Sequence, residues 1–136
     1  IMGTKTSTGS KLQIPMTERK ETMPLTGNGV KTEFGDQVLT VYLTGEIDHH
    51  NAGKMRLEID EEICRRRPKR VILDLGSIDF MDSSGLGLVM GRYALIRKMN
   101  GDLILRNPSQ RVKKIFDLSG LDRMIHMEYD KGGKAK

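Results

Sequence analysis

The sequence predicts a single α/β domain in which helices pack on a mixed β-sheet. Three observations carry this. The chain has 136 residues, enough for one hydrophobic core and too few for two ordinary ones. Its apolar residues alternate between short β-rich runs and stretches of helical period, in the order β-β-α-β-α-β-α-β. With 37% hydrophobic and 4% aromatic residues and no Trp, the core must be built from Leu, Ile, Val and Met.

Residues 1–29 are rich in Thr, Ser, Gly, Lys and Pro and show no sustained apolar period, so they are expected to form a flexible leader. Its opening residues, which start on Ile1, read as a cloning remnant. The folded domain is expected over 30–130, followed by a flexible basic tail over 131–136. Residues 30–34 read as extended, Gly35 and Asp36 signal a turn, and Val38, Leu39, Val41, Leu43 and Ile47 lie in a second β-rich run; together they predict a hairpin. Asn51 is placed to cap a helix in which Ala52, Met55, Ile59 and Ile63 recur at helical spacing, with Arg56, Glu58, Asp60 and Glu61 between them. Pro68 stops this helix, and residues 70–75 (RVILDL) read as a short strand buried on both faces.

Ile78, Asp79 and Phe80 are expected in a loop leading to a helix that starts near Ser83. That helix carries Leu86, Val89, Tyr93 and Ile96 on one stripe and Leu88, Leu95 and Met99 on a second; Gly101 ends it. Residues 102–106 (DLILR) give the next strand. Ser109 then caps a short helix holding Val112, Ile115, Phe116 and Leu118, closed by Gly120 in the left-handed position, and a last strand is expected over 123–128. Strands separated by helices should run parallel through right-handed crossovers, with the first hairpin adding an antiparallel edge.

Charge and cysteine content narrow the function. The formal net charge of +5 divides into +2 before Val30 and +3 after Asp130, so the body is balanced and no basic stripe for nucleic acid is expected on it. Arg65, Arg66 and Arg67 end the first helix, where cations suit the helix dipole. The single Cys64 has no partner for an intramolecular disulfide and falls beside the first helix's apolar stripe, where a half-buried, inert thiol is expected. His49 and His50 are adjacent and His126 is the only other histidine, so no metal site and no cofactor are expected. No apolar run approaches the roughly 20 residues that span a bilayer, and the N-terminal stretch lacks the apolar region of a signal peptide; a cytoplasmic protein is expected. The Gly87–Gly91 spacing on the second helix is expected to permit close helix packing.

The informative stretch is Phe80-Met81-Asp82-Ser83-Ser84-Gly85-Leu86-Gly87, where a strand hands over to a helix. Ser83 falls at or next to the N-cap, and its hydroxyl is expected to accept a backbone N–H of the first turn, worth about 1 kcal/mol. A phosphate on Ser83 would meet unpaired N–H groups and the positive end of the helix dipole. No histidine is placed in sequence context as a base for Ser83, and there is neither a GxSxG elbow nor a Walker-type loop, so no enzyme is expected.

LTGEIDHH at 43–50, then FMDSSGLG at 80–87, then IFDLSGL at 115–121, in this order, resembles the STAS-domain anti-sigma factor antagonists, most of all the sporulation type, through HH after Asp48 and GRY at 91–93. The resemblance covers about 30–128 and implies a sheet of four to five strands with three to four helices. It also implies partner switching. The unphosphorylated protein would bind an anti-sigma factor that is a serine kinase and so free a sigma factor; phosphorylation of Ser83 would release it, and a serine phosphatase would reset it. On the same ground Asp48, Asp82, Ser84 and Gly85 are expected at the partner-binding face, with no direct contact to nucleic acid or membrane. Two alternatives are a nucleotide-binding STAS module using the helix start at Ser83, and a STAS scaffold subunit of a signalling assembly.

Overall fold

A computed structural model describes residues 29–130; the expected leader and basic tail lie outside the described residues apart from Gly29, which opens the first strand. Five strands form one sheet in the order β1-β2-β3-β4-β5. They are β1 (Gly29–Gly35), β2 (Val38–Ile47), β3 (Arg70–Met81), β4 (Asp102–Arg106) and β5 (His126–Glu128). The helices are α1 (Ala52–Arg66), α2 (Ser84–Lys98) and α3 (Gln110–Ser119), and a 3-10 turn spans Leu121–Arg123. β1 and β2 are antiparallel, and every later neighbour pair is parallel, as the crossover argument requires. Because the strands follow one another without a reversal of order, right-handed crossovers bring the three helices to the same face.

The registers show how that face is filled. Leu39, Val71 and Leu103 lie side by side, as do Val41, Leu73 and Leu105, and all six are buried. Met55, Ile59 and Ile63 from α1, Leu88, Val89 and Ile96 from α2, and Val112 and Phe116 from α3 complete the core. The opposite face carries the rows Thr40–Ile72–Ile104 and Tyr42–Asp74–Arg106, in which Arg106 Nε lies 3.0 Å from Asp74 Oδ2. Ile72 is half-buried and Asp74 and Ile104 are buried, so residues 71–75 of β3 are covered on both sides as the apolar run predicts, while Arg70, Gly76, Ser77, Asp79 and Phe80 of the same strand are exposed.

Several local expectations are corrected. The hairpin turn is the pair Asp36–Gln37, with φ of 53° and 68°, closing the Gly35–Val38 pair in the two-residue geometry that matches strand twist. Residues 78–80 are strand and not loop: β3 runs to Met81 because Gly45–Ile78, Glu46–Phe80 and Ile47–Met81 pair. Between Tyr42–Asp74 and Ile47–Met81 there are five residue steps on β2 and seven on β3, so two irregularities bend the ends of these strands. The last strand shrinks to three residues, because the chain first closes a 3-10 turn that buries Leu121 and Ile125. Leu118 is 81% exposed, pointing away from the face that buries Val112 and Phe116. Cys64 is exposed, one residue round the helix from buried Ile63. Gly87 and Gly91 have open space where a Cβ would stand, so the GxxxG spacing serves no helix packing among the described residues.

Candidate functional site

The parallel pairing of Ile47 with Met81 sets Asp48 and Asp82 next to each other, each the first residue beyond its strand. The backbone N–H of Asp82 donates to Ile47 C=O at 3.0 Å and so continues the ladder into the corner. From there Asp48 opens the turn into α1 and Asp82 the turn into α2. The fold thus brings the expected residues Asp48, Asp82, Ser83, Ser84 and Gly85 to one end of the sheet.

Each aspartate does for its helix what another residue was expected to do. Asp48 Oδ1 accepts the N–H groups of His50 and Asn51, both at 3.0 Å, and its C=O accepts Asn51 and Ala52 at 3.1 and 2.8 Å. Asn51 has helical dihedrals (φ −100°, ψ −25°) and makes no side-chain cap; its Nδ2 donates to Glu46 C=O at 3.4 Å. Asp82 Oδ1 accepts both the N–H of Ser84 at 2.8 Å and its hydroxyl at 2.5 Å. These bonds, the hydroxyl's first and the N–H's second, hold the Asp82 carboxyl below the usual carboxylate range. Asp82 Oδ2 lies 3.8 Å from His49 Nδ1, which ties the loop after β2 to the start of α2.

Ser83 does not cap. Its dihedrals are already helical (φ −63°, ψ −17°), so the hydroxyl makes no cap hydrogen bond, and the residue is exposed. Ser109 shows the contrast: its backbone is extended (φ −66°, ψ 166°) and its Oγ accepts Val112 N–H at 3.2 Å, as predicted for α3. The N–H groups of Ser84, Gly85 and Leu86 are also taken, by Asp82 Oδ1, Asp82 C=O and Ser83 C=O. The helix start therefore offers an anion at Ser83 the dipole of α2 but none of these three N–H donors. Gly85 is buried; a Cβ there would stand 2.4 Å from Met81 Cγ and Sδ, so this glycine lets the first turn of α2 close on the end of β3. Phe80, beside this corner, is 42% exposed.

Two features escaped the sequence reading. The capping role of Asp82 was legible in D-S-S, since Asp bonds the backbone two residues on. Arg92 is 6% exposed, with Nε 2.6 Å from Asp60 Oδ1 and Nη1 donating to Leu88 C=O at 3.3 Å, so an ion pair bridges α1 and α2. Its signal was position: Arg92 lies four residues after Leu88 and four before Ile96, on the buried stripe. Among the described residues no group of three or more His, Cys, Asp or Glu is placed to hold a metal, and no helix is long and apolar enough to cross a membrane. A surface pocket lined by Ser109, Gln110, Lys113, Lys114 and Tyr129 lies at the start of α3 and does not include Ser83.

A sequential mixed sheet with helices on one face, and a DSSG corner at its end, is the architecture of one known domain class: residues 30–132 match the STAS domain family, and the chain belongs to it. Within that family it stands with the anti-sigma factor antagonists. It is 38% identical over 96 residues to the anti-sigma F factor antagonist of Paenibacillus polymyxa, covering 71% of this chain and 82% of the relative. To the anti-sigma-B factor antagonist of Bacillus subtilis it is 30% identical, covering 71% and 86%. The structure superposes on the sporulation protein SpoIIAA in its unphosphorylated form with a TM-score of 0.67 and 33% identity, over 76% of this chain and 90% of that one. For the phosphorylated Bacillus SpoIIAA the TM-score is 0.62 at 32% identity, over 76% and 93%.

Proposed function

We propose that this chain is a phosphorylation-controlled antagonist: unmodified, it binds an anti-sigma factor that is also a serine kinase, and phosphate on Ser83 releases it. The observation that carries the reading is the Ser83 hydroxyl, exposed and without a cap bond, on a corner between two aspartates. Asp48 and Asp82 give that corner negative charge, and the partner face includes Ser84 at its edge, while Gly85 shapes the corner from beneath. A phosphate brings roughly −2 charge to it. Buried against a partner and left uncompensated, that charge costs several kcal/mol, and about 1.4 kcal/mol is tenfold in affinity. The existence of phosphorylated and unphosphorylated forms of SpoIIAA supports the same switch here. A serine phosphatase resets it, the protein works in the cytoplasm, and it catalyses nothing itself.

The test mixes the purified chain with the anti-sigma F factor of the Paenibacillus polymyxa system and Mg-ATP. Phosphate is located by mass spectrometry, and affinity is measured by calorimetry before and after modification. One phosphate on Ser83 and a loss of affinity of tenfold or more are expected. No phosphate, or unchanged affinity after stoichiometric modification, overturns the reading.

A further inference from the structure

The proposed kinase meets two neighbouring hydroxyls, and the two are chemically unequal. Ser84 Oγ is half-buried and donates to Asp82 Oδ1 at 2.5 Å, while the Ser84 N–H donates to the same oxygen at 2.8 Å. Ser83, one residue earlier, is exposed and carries no such bond. From this geometry we infer that Asp82 selects the phosphorylation site: by holding the Ser84 hydroxyl it leaves Ser83 as the nucleophile. The inference rests on the phosphorylation reading above and adds to it the residue that decides between the two serines.

The serine oxygen bonds to the γ-phosphorus of ATP, the bond from that phosphorus to the bridging oxygen of ADP breaks, ADP leaves, and the hydroxyl proton passes to a base of the kinase. Ser84 meets two obstacles. Turning its hydroxyl outward breaks a bond to an ionised acceptor, which is stronger than a neutral one. Left in place, its oxygen touches a carboxylate, so the incoming phosphoryl group is brought onto a like charge. Asp82 does not itself serve as the base for Ser84, because the bonds that lower its pKa also make it a weak proton acceptor. Neither obstacle applies to the exposed Ser83 hydroxyl, which makes no bond to a carboxylate.

The test measures the ratio of phosphate on Ser84 to phosphate on Ser83 by tandem mass spectrometry, with the anti-sigma F factor and Mg-ATP used above. A ratio is unaffected by any change in overall partner affinity or in the folded fraction. The unaltered chain is expected to carry phosphate on Ser83 alone, and Asp82→Ala to bring the ratio to at least about a tenth. Asp82→Asn, which keeps a neutral acceptor for the helix start and guards against loss of folding, should fall between them. In a Ser83→Ala background, adding Asp82→Ala should bring phosphate to Ser84. An unchanged ratio in both Asp82 variants overturns the selection and leaves the switch standing, as does phosphate on Ser84 of the unaltered chain for the choice of serine. Absence of phosphate from the unaltered chain overturns the switch as well.

Discussion

Asp82 Oδ1 holds Ser84 by two hydrogen bonds, from its N–H at 2.8 Å and its hydroxyl at 2.5 Å, and so caps the start of α2 from the residue before Ser83. The cap and the hydroxyl proposed to carry the phosphate thus belong to separate residues.

Ser83→Ala should be nearly neutral in stability, within about 0.5 kcal/mol, because an exposed hydroxyl that caps nothing is removed. Partner binding should persist and phosphorylation cease. Ser83→Asp should stay folded, since a carboxylate suits a helix start, yet bind the anti-sigma factor at least tenfold more weakly. Denaturant titration and calorimetry on both variants check this, and a loss near 1 kcal/mol for Ser83→Ala would restore the cap to Ser83.

Asp48 combines a structural and a charged role that two substitutions separate. Asp48→Ala should destabilise the domain by about 1 kcal/mol, as its carboxylate receives two N–H groups ahead of α1. Asp48→Asn keeps an acceptor and should recover most of that stability. If Asp48 also contacts the partner through its charge, both variants bind more weakly; normal binding by Asp48→Asn would confine the residue to capping.

Asp82 should make stability depend on pH in a stated direction. Its folded-state pKa is depressed, mainly by the Ser84 hydroxyl and then by the Ser84 N–H, so its contribution is complete above the unfolded-state value and lost as pH falls through the folded one. In a His49→Gln background, which removes the imidazole 3.8 Å from Asp82 Oδ2, the stability difference between the chain with Asp82 and the chain with Asp82→Asn should therefore be constant from neutral pH down to the ordinary carboxylate range and shrink on further acidification. Denaturation at a series of pH values measures it; a difference that grows with acid would reverse the assignment.

Arg92, buried, and Asp60, half-buried, join α1 to α2 across their interface. Arg92→Ala should destabilise by about 2–3 kcal/mol, since it removes a buried side chain between two helices and leaves the half-buried Asp60 carboxylate only the more distant Arg56, 4.0 Å away, and Arg92→Met in an Asp60→Leu background should recover much of this. Gly87→Ala should act oppositely. Nothing stands where its Cβ would go, and alanine in a helix gains about 0.5–1 kcal/mol over glycine, which thermal melts resolve.

The element order, the parallel crossovers and most of the core were legible in the sequence alone, because they depend on apolar periodicity and on residues close together in the chain. Leu39, Ile59, Val89 and Phe116 announce their burial by period, and Ser109 and Gly120 mark the ends of α3 through local backbone preference. The wiring of the DSSG corner depends on contacts made in three dimensions. Ser83 and Asp82 are both adequate capping residues in isolation, and the choice falls to the backbone angles set where β3 extends to Met81 and pairs with Ile47. That pairing joins residues 34 positions apart in sequence, so it brings Asp48 beside Asp82 and His49 within 3.8 Å of it through long-range contacts that no local pattern records. Arg92 illustrates the same limit: a charge on a buried stripe is intelligible only once Asp60 is seen across the helix interface, where the pair offsets part of the desolvation the arginine suffers.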